Sequence, residues 1–463
     1  MTQQVSFNSE LIERYDLAGP RYTSYPTAVQ FHEGFDANLY RRFVAMSNDE
    51  LIPASLSLYV HLPFCRSLCY YCGCTKKITR HESHGVQYLE SLAREIPLQA
   101  RLFDHDRQVS QLHFGGGTPT FFGDIQLEQL MANLAHHFNF APPKEREFSI
   151  EIDPRTVDNS RLARLVDFGF NRISLGVQDF DEKVQTAVNR VQDQAATLGL
   201  IAFAKELGIR STSVDLIYGL PLQTPESFQA TLQSVIDAKP DRLAVYNYAH
   251  MPQVFRAQRL ISESELPPPQ VKLELLELTV RLLCDAGYVY IGMDHFALPG
   301  DELSVAQREG HLHRNFQGYS TRSECDLVGL GTSAIGKIGD CFTQNLKEIL
   351  PWISALSGDQ LPIWRGLGLT VEDRLRQAVI ESIMCHGTAD FEELGKRFGV
   401  EFEDHFALEI HRLARLADDG LVELDEDRLS VTPEGRLLLR VVAMVFDEYL
   451  GHKEDQPRFS RVI

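Results

Sequence analysis

Six short apolar and β-branched runs punctuate the first half of the chain: Leu56 to Leu62, Val109 to Phe114, Phe148 to Ile152, Arg172 to Val177, Ser213 to Tyr218 and Arg242 to Tyr246. Each has the length and composition of a buried strand. Between them the apolar positions recur with a helical period, over His84 to Leu102, Asp124 to Phe138, Ser160 to Phe168, Ala195 to Leu207 and Pro225 to Ala238, and a sixth such stretch, Pro269 to Ala286, follows the last strand. Strands separated by one helix each predict parallel βαβ units. Six of them predict an α/β fold with a partial (β/α)6 parallel barrel, since a closed barrel of this kind needs eight.

The ends read differently. Residues 1–50 look like an arm, because Gly19 to Pro26 contains two prolines that cannot continue a helix, and composition alone makes this an extended surface segment. Residues 51–367 hold the barrel and its extension. Residues 368–463 are mostly helical: Val371 to Cys385 and Asp404 to Asp418 precede a hairpin signal, Leu421 to Val431, and then one long helix, Pro433 to Leu450. That order is winged-helix-like.

Charge narrows what these parts bind. The 463 residues carry 45 Lys and Arg against 64 Asp and Glu, a formal net charge of −19. The C-terminal stretch from residue 371 is itself acidic, with 21 acidic and 12 basic residues. Nucleic acid is therefore not expected as a partner, since phosphate backbones require clustered cations. No apolar run is long enough to span a bilayer, and Met1 to Glu10 has no secretory pattern, so a cytoplasmic protein with reduced thiols is expected.

Chemistry-bearing residues gather where the strands end. The first strand leads to cysteines, the second to Gly115-Gly116-Gly117-Thr118-Pro119, the third to Glu151 and Asp153, and the fourth to Gln178 and Asp179. The fifth carries Asp215, and the sixth leads to Tyr248-Ala249-His250. In parallel α/β folds that rim is where sites form. Four of the eight cysteines, Cys65, Cys69, Cys72 and Cys74, fall within ten residues. Structural zinc usually takes two ligand pairs far apart in sequence, and no second pair exists here, although His61, His81 and His84 could complete a zinc site. A reactive thiol pair needs only one Cys-x-x-Cys and leaves Cys65 without a role. Soft thiolates in a tight loop also suit an iron–sulfur cluster, and three of them would leave one iron of a four-iron cluster open.

The motif Cys65-x3-Cys69-x-Tyr71-Cys72 resembles that of the radical S-adenosylmethionine superfamily, whose partial barrel agrees with the strand and helix alternation. Within it, several stretches are similar to the oxygen-independent coproporphyrinogen III oxidase family: GPRYTSYPTA (19–28), YVHLPFCRSLCYYCGC (59–74), QLHFGGGTPT (111–120), IGMDHFA (291–297), AQREGHLHRNFQGY (306–319) and FSRVI (459–463). Thr75 departs from the family, which often has Asn there. Haem-handling relatives share the three cysteines and the barrel but usually lack the arm, the fourth cysteine and the C-terminal tail. A porphyrin chaperone is the alternative within this chemistry, and a zinc-stabilised binding module the alternative outside it.

The resemblance implies a [4Fe-4S] cluster on Cys65, Cys69 and Cys72, with Cys74 not required as a ligand. It implies two S-adenosylmethionine molecules, the first at Tyr59, Gly116, Glu151 and Ile335, the second at Tyr71, Gly117, Thr118, Gln178, Arg190, Asp215 and Ala249. It also implies coproporphyrinogen III as substrate, an electron donor, an electron acceptor and a monomeric chain. No side chain is expected as acid or base, because a cofactor-derived radical breaks the C–H bond. Arg21, Lys76, Lys77, Arg256 and Arg314 are the candidates for the substrate's carboxylates, and the Arg21 to Pro26 arm is a candidate lid.

Overall fold

The computed structural model describes residues 5–322 and 324–450; the FSRVI stretch lies outside them. All six expected strands form: β1 (Leu56–Leu62), β2 (Gln108–Gly116), β3 (Glu147–Ile152), β4 (Arg172–Gln178), β5 (Ser211–Tyr218) and β6 (Arg242–Asn247). They pair in parallel in chain order. The sheet then extends at both edges. Beyond β6 lie two antiparallel strands, β7 (Val289–Gly292) and β8 (His295–Ala297), with β8 against β6. Beyond β1 lies β9 (Asp326–Leu330), a further parallel strand, followed by antiparallel β10 (Ile335–Ile338), β11 (Cys341–Asn345) and β12 (Ile363–Gly368). The path runs β7-β8-β6-β5-β4-β3-β2-β1-β9-β10-β11-β12 without returning on itself, so the barrel is open.

The two faces of these strands differ. Phe148, Ile150 and Ile152 on β3, and Ile173, Leu175 and Val177 on β4, are buried under the surrounding helices. Their neighbours at the alternate positions, Glu147, Ser149 and Glu151 and then Arg172 and Ser174, line an internal cavity together with Gln111, His113, Ser211, Ser213, Asp215, Arg242 and Tyr246. Side chains alternate across a strand. The barrel interior is therefore polar, unlike the apolar packing that fills a closed barrel.

The arm departs from the expectation of a surface segment. Tyr22 and Tyr25 are 4% and 2% exposed and pack into the core of the C-terminal region with Leu11 and Tyr15. Tyr22 donates to Asp447 at 2.9 Å, Gln377 to the Tyr25 carbonyl at 2.6 Å, and Arg440 to the Gly19 carbonyl at 2.7 Å. Extended backbone flanked by prolines has no internal hydrogen bonds, and here the C-terminal region supplies them. The second half of the arm, the helix Ala37–Asn48, packs on the barrel through Tyr40 and Val44.

In the C-terminal region the helix Val371–His386 and the antiparallel pair Val422–Leu424 and Arg428–Val431 form as expected, with Thr388–Asp390 as a third strand. The expected 404–418 helix forms as the short turn Phe402–His405 and the helix Ala407–Asp418. The expected long helix does not form. Its place is taken by a 3-10 turn, Gly435–Leu438, and a short helix, Leu439–Met444. Arg436 and Arg440 turn inward there, Arg436 onto the Ile291 carbonyl at 3.1 Å, and the apolar period that suggested one helix belongs to a chain wedged between this region and the barrel. Among the described residues no helix is long and apolar enough to cross a membrane.

Candidate functional site

The cysteine loop is closed at its base by strand pairing. Phe64–Cys65 continues beyond β1 and pairs in parallel with Lys77–Ile78, with Lys77 N–H on the Pro63 carbonyl at 2.6 Å and Thr79 N–H on the Cys65 carbonyl at 3.0 Å. Within the loop, Cys72 N–H donates to the Cys69 carbonyl at 3.3 Å and the Lys76 ammonium to the Cys72 carbonyl at 2.8 Å. Asn189 holds the far side through the Leu68 carbonyl at 2.8 Å.

The end of β2 lies directly on this base. Gly117 N–H donates to the Leu62 carbonyl and Thr118 N–H to the Phe64 carbonyl, both at 2.9 Å. A Cβ on Gly117 would stand 2.6 Å from the Pro63 carbonyl carbon, and one on Gly116, whose φ is +115°, 2.6 Å from the His61 ring. Only glycine permits both the approach and the dihedral. Cys65, Cys69 and Cys72 line one cavity of about 410 Å³ with Gly116, Gly117 and Thr118.

Three observations test whether a multi-iron cluster fits. First, each of two sulfurs has a donor directed at it: Thr118 Oγ1 lies 3.4 Å from Cys65 Sγ, and Arg190 Nη1 and Arg155 Nη2 lie 3.4 and 3.7 Å from Cys69 Sγ. Second, the histidine best placed to complete a zinc site is committed elsewhere, with His61 Nδ1 3.0 Å from the Tyr59 hydroxyl and Nε2 3.1 Å from the Thr75 carbonyl. His84 Nδ1 lies 3.0 Å from Thr79 Oγ1. Third, Cys65, Cys69 and Cys72 share one cavity wall with the glycine edge. Three soft sulfurs around a roomy cavity suit a cluster better than a single tetrahedral ion. The Cys74 thiol hydrogen-bonds to Cys72 and, with Lys76 nearby, holds the Cys72 thiol well below its ordinary range against the effect of burial. Burial pushes Cys65 up to about 11.

Across the cavity stand two carboxylates. Glu151 accepts from Gly116 N–H at 3.2 Å and meets His113 Nε2 at 3.2 Å; burial opposes its charge, but His113 and that N–H hold it below the usual range. Asp215 accepts from Ser174 at 3.1 Å, and burial together with the nearby Glu151 charge raises it to about 7. Asp153 clamps two arginines, Arg155 at 2.6 Å and Arg190 at 3.3 Å, beside Cys69.

Most of the expected site residues meet here. Tyr71, Gln178, Arg190, Glu151 and Asp215 line the same cavity as the glycines and cysteines, Gln178 at the end of β4 with a φ of +69°. Tyr59, Ala249 and Ile335 are not on its wall. Tyr59 stacks on His113 with ring centres 5.8 Å apart, and the backbone of Ile335 lies against Gly329. Ala249 is tied to the site through its carbonyl: Gln258 Nε2 donates to it at 3.2 Å and to the Tyr71 carbonyl at 3.0 Å. Sequence reasoning passed over His113, Arg155 and Gln258. The alternation His113, Gly115 on β2 and the spacing Glu151-x-Asp153-x-Arg155 on the rim carried the first two; Gln258 sits in a loop with no such pattern.

The proposed carboxylate partners are scattered. Lys76 lines the cluster cavity. Arg21 pairs with Asp294 at 2.6 Å and sits over Tyr246 at 5.7 Å. Lys77 and Arg256 are exposed. Arg314 is buried.

Comparison with known proteins agrees with this geometry. A Radical SAM superfamily model matches residues 59–235 and a HemN C-terminal domain model residues 369–438. The chain is 49% identical over 461 residues to the oxygen-independent coproporphyrinogen III oxidase of Escherichia coli (strain K12), covering 100% of this chain and 99% of that one. It is 50% identical over 463 residues to that of Pseudomonas aeruginosa, with 100% of both chains covered. The solved structure described as coproporphyrinogen III oxidase (HemN) from Escherichia coli, a radical SAM enzyme, superposes with a TM-score of 0.92 at 48% identity over 97% of this chain and 100% of that one. The polar open barrel, the three-cysteine loop and full-length likeness lead to one conclusion: the chain belongs to the oxygen-independent coproporphyrinogen III oxidase family of the radical SAM superfamily.

Proposed function

We propose that the cavity bounded by the cysteine loop, Glu151 and Asp215 is where this chain carries out its family's reaction, the oxidative decarboxylation of two propionate side chains of coproporphyrinogen III to vinyl groups in haem biosynthesis. The product is protoporphyrinogen IX. The observation that carries the assignment is the meeting of three cysteine sulfurs with a bare glycine edge and two carboxylates in one cavity.

When bound, a [4Fe-4S] cluster and S-adenosylmethionine would supply the one-electron chemistry needed to break an unactivated C–H bond of a propionate with loss of carbon dioxide, the remaining electron going to an external acceptor. Cys65, Cys69 and Cys72 would hold the cluster, with Cys74 as a neighbour hydrogen-bonded to Cys72. Arg155 and Arg190, fixed by Asp153, set positive charge against the Cys69 sulfur. Gly116 and Gly117 keep the edge bare so that the cofactor's amino-acid end can approach.

We assign a first S-adenosylmethionine to Gly116 and Glu151 with Tyr59 and Ile335 behind them. A second is assigned to Gly117, Thr118, Gln178, Arg190 and Asp215, with Tyr71 and Ala249 oriented by the Gln258 bridge. The separate environments of the two acids support two sites: Glu151 stays charged toward a cation, whereas Asp215 is poised near neutrality. The chain works with an external one-electron donor and, as a division of labour, with 51–367 as the reacting unit and 1–50 and 368–463 enclosing it.

The test is anaerobic incubation of the iron-loaded protein with reductant, S-adenosylmethionine, coproporphyrinogen III and cell extract as electron acceptor. 5′-Deoxyadenosine and protoporphyrinogen IX are expected together, and both are lost in Cys69→Ser. Deoxyadenosine without decarboxylation would move the assignment to another substrate.

A further inference from the structure

The polar interior of the barrel does not end at the cluster cavity. A lumen of about 190 Å³ shares Glu151, Ser174 and Asp215 with that cavity, and at its other end shares Gln111 and Asn315 with a small cavity of about 40 Å³. The three lie in series, each sharing lining residues with the next. The last lies at the N-terminal ends of β1, β2 and β9, marked by Ser57, Gln111 and Leu327, and is covered by Tyr22 to Tyr25 of the arm and by Met384 of the C-terminal region.

Arg314 is the unusual group there. It sits on the hairpin His313–Asn315 and Gly318–Ser320, only 9% exposed, with its guanidinium over the Tyr319 ring at 4.6 Å. Its Nε and Nη1 are buried without a hydrogen-bond partner among the described residues, and so is the Ser57 hydroxyl on the same wall. Burying a charged donor with nothing to receive its protons is expensive. Arg322 and Lys337 add positive charge to the wall, although Arg322 is engaged with the Glu145 carbonyl at 2.7 Å and lies 3.5 Å from Glu147. The carboxylate on the wall, Glu381, is paired with His313. Gln111 Oε1 is also unpartnered, an acceptor that a ligand N–H or water would satisfy.

From these we infer that Arg314, with Ser57 and Lys337, forms a carboxylate-binding site that receives a propionate of the tetrapyrrole on the side away from the reacting one. The inference rests on the function proposed above. Its geometry follows from register: Gln111 borders this cavity and Gly116 the cluster cavity, and five residues of strand cover about 16 Å. Carboxylates on opposite sides of one macrocycle have a separation of that order. A propionate is an acceptor-only anion, which is what two guanidinium N–H groups and a hydroxyl require, and Arg recognises it with two parallel bonds. The site would fix which propionates are retained, by holding a retained one at the far end.

The experiment is a comparison of two ligands on iron-loaded protein under anaerobic conditions: coproporphyrin III as the free tetra-acid, and its tetramethyl ester, which keeps the ring and removes the charges. Binding is read by fluorescence. Arg314→Gln is expected to weaken the tetra-acid by about 10- to 100-fold and to leave the ester within about twofold of wild type. Deoxyadenosine released without substrate should be unchanged, which separates this site from the cofactor machinery. Equal tetra-acid affinity in wild type and variant overturns the site alone. Equal weakening of both ligands also overturns it, since a packing role would do that. Wild-type protein that does not bind the tetra-acid overturns the proposed function as well. If Arg314→Gln does not fold, Lys337→Gln carries the same test: a several-fold loss confined to the tetra-acid supports the site, and no difference between ligands overturns it.

Discussion

Two buried arginines show how differently this molecule treats the same side chain. Arg107, on the loop leading into β2, uses its whole fork. Its Nε donates to the Ala54 carbonyl at 2.8 Å, Nη1 to Asn48 at 2.8 Å, and Nη2 to Asp326 at 2.6 Å. The Asp326 carboxylate also receives Gly339 N–H at 2.7 Å. That network joins the arm helix, β9 and the β1 lead-in, and it is only 2% and 8% exposed at the two charged side chains. Arg314 is also buried, at 9% exposed, but among the described residues its Nε and Nη1 have no partners. A satisfied buried charge belongs to the fold, whereas one left with unpaired donors beside a cavity costs stability and can receive a ligand there.

The largest effect that could break this contrast is at Arg107. Arg107→Met leaves Asp326 charged and buried without its partner and is expected to destabilise the protein by about 3–5 kcal/mol in urea unfolding. A loss below about 1 kcal/mol would mean the network is not structural. Gly117→Ala comes next. Its Cβ would meet backbone at Pro63, which cannot swing aside, so a loss of about 2 kcal/mol is expected, with a fall in iron bound per chain. Unchanged iron content would show that the close approach can relax. Arg314→Gln is the counterpart to Arg107: its stability should lie within about 1 kcal/mol of wild type or above it, because a buried charge with free donors is removed. A loss as large as that of Arg107→Met would erase the difference between the two residues.

Much of the reacting end was legible in the sequence because its signals are local. A strand run, a three-cysteine loop and three consecutive glycines each fit within about a dozen residues, and the rim rule for parallel strands brings them together without further information. The long-range parts were not legible. β9 is a five-residue strand that pairs with β1 across some 270 residues of chain, and nothing in Asp326–Leu330 announces its neighbour. Tyr22 and Tyr25 looked like surface residues because their partners lie in the C-terminal region, Asp447 for the Tyr22 hydroxyl and Gln377 for the Tyr25 carbonyl. The polar lumen was half visible: Glu147, Ser149 and Glu151 alternate with Phe148, Ile150 and Ile152, a period of two that the reading of β3 as simply buried passed over. Whether a buried arginine is satisfied depends on every element packed around it, so Arg107 and Arg314 are indistinguishable in sequence.

A pH-dependent effect concerns an acid on the wall of the cluster cavity. Among the described residues Asp215 has only the Ser174 hydroxyl as a hydrogen-bond partner, and it is raised from 3.8 to about 7 by burial and then by Glu151. The sign follows from proton counts. Between pH 4 and pH 7 the folded protein keeps a proton on Asp215 that the unfolded chain has lost, so stability falls as pH rises through that window and is level above it. Below pH 4 the carboxyl is protonated in both states and contributes nothing to the difference. Asp215→Asn removes the decline while keeping an oxygen for Ser174. Cluster-free Asp215→Asn is therefore expected to equal wild type near pH 4 and to exceed it by about 2 kcal/mol at pH 8 in urea unfolding, a figure discounted for the solvated cavity. If S-adenosylmethionine binds at this carboxylate, adding it should narrow the gap at pH 8, because wild type gains a partner for the charge and the variant does not. A gap that is absent at pH 8 would mean the acid is already satisfied without ligand, and would place Asp215 beside Arg107 among the groups committed to the fold.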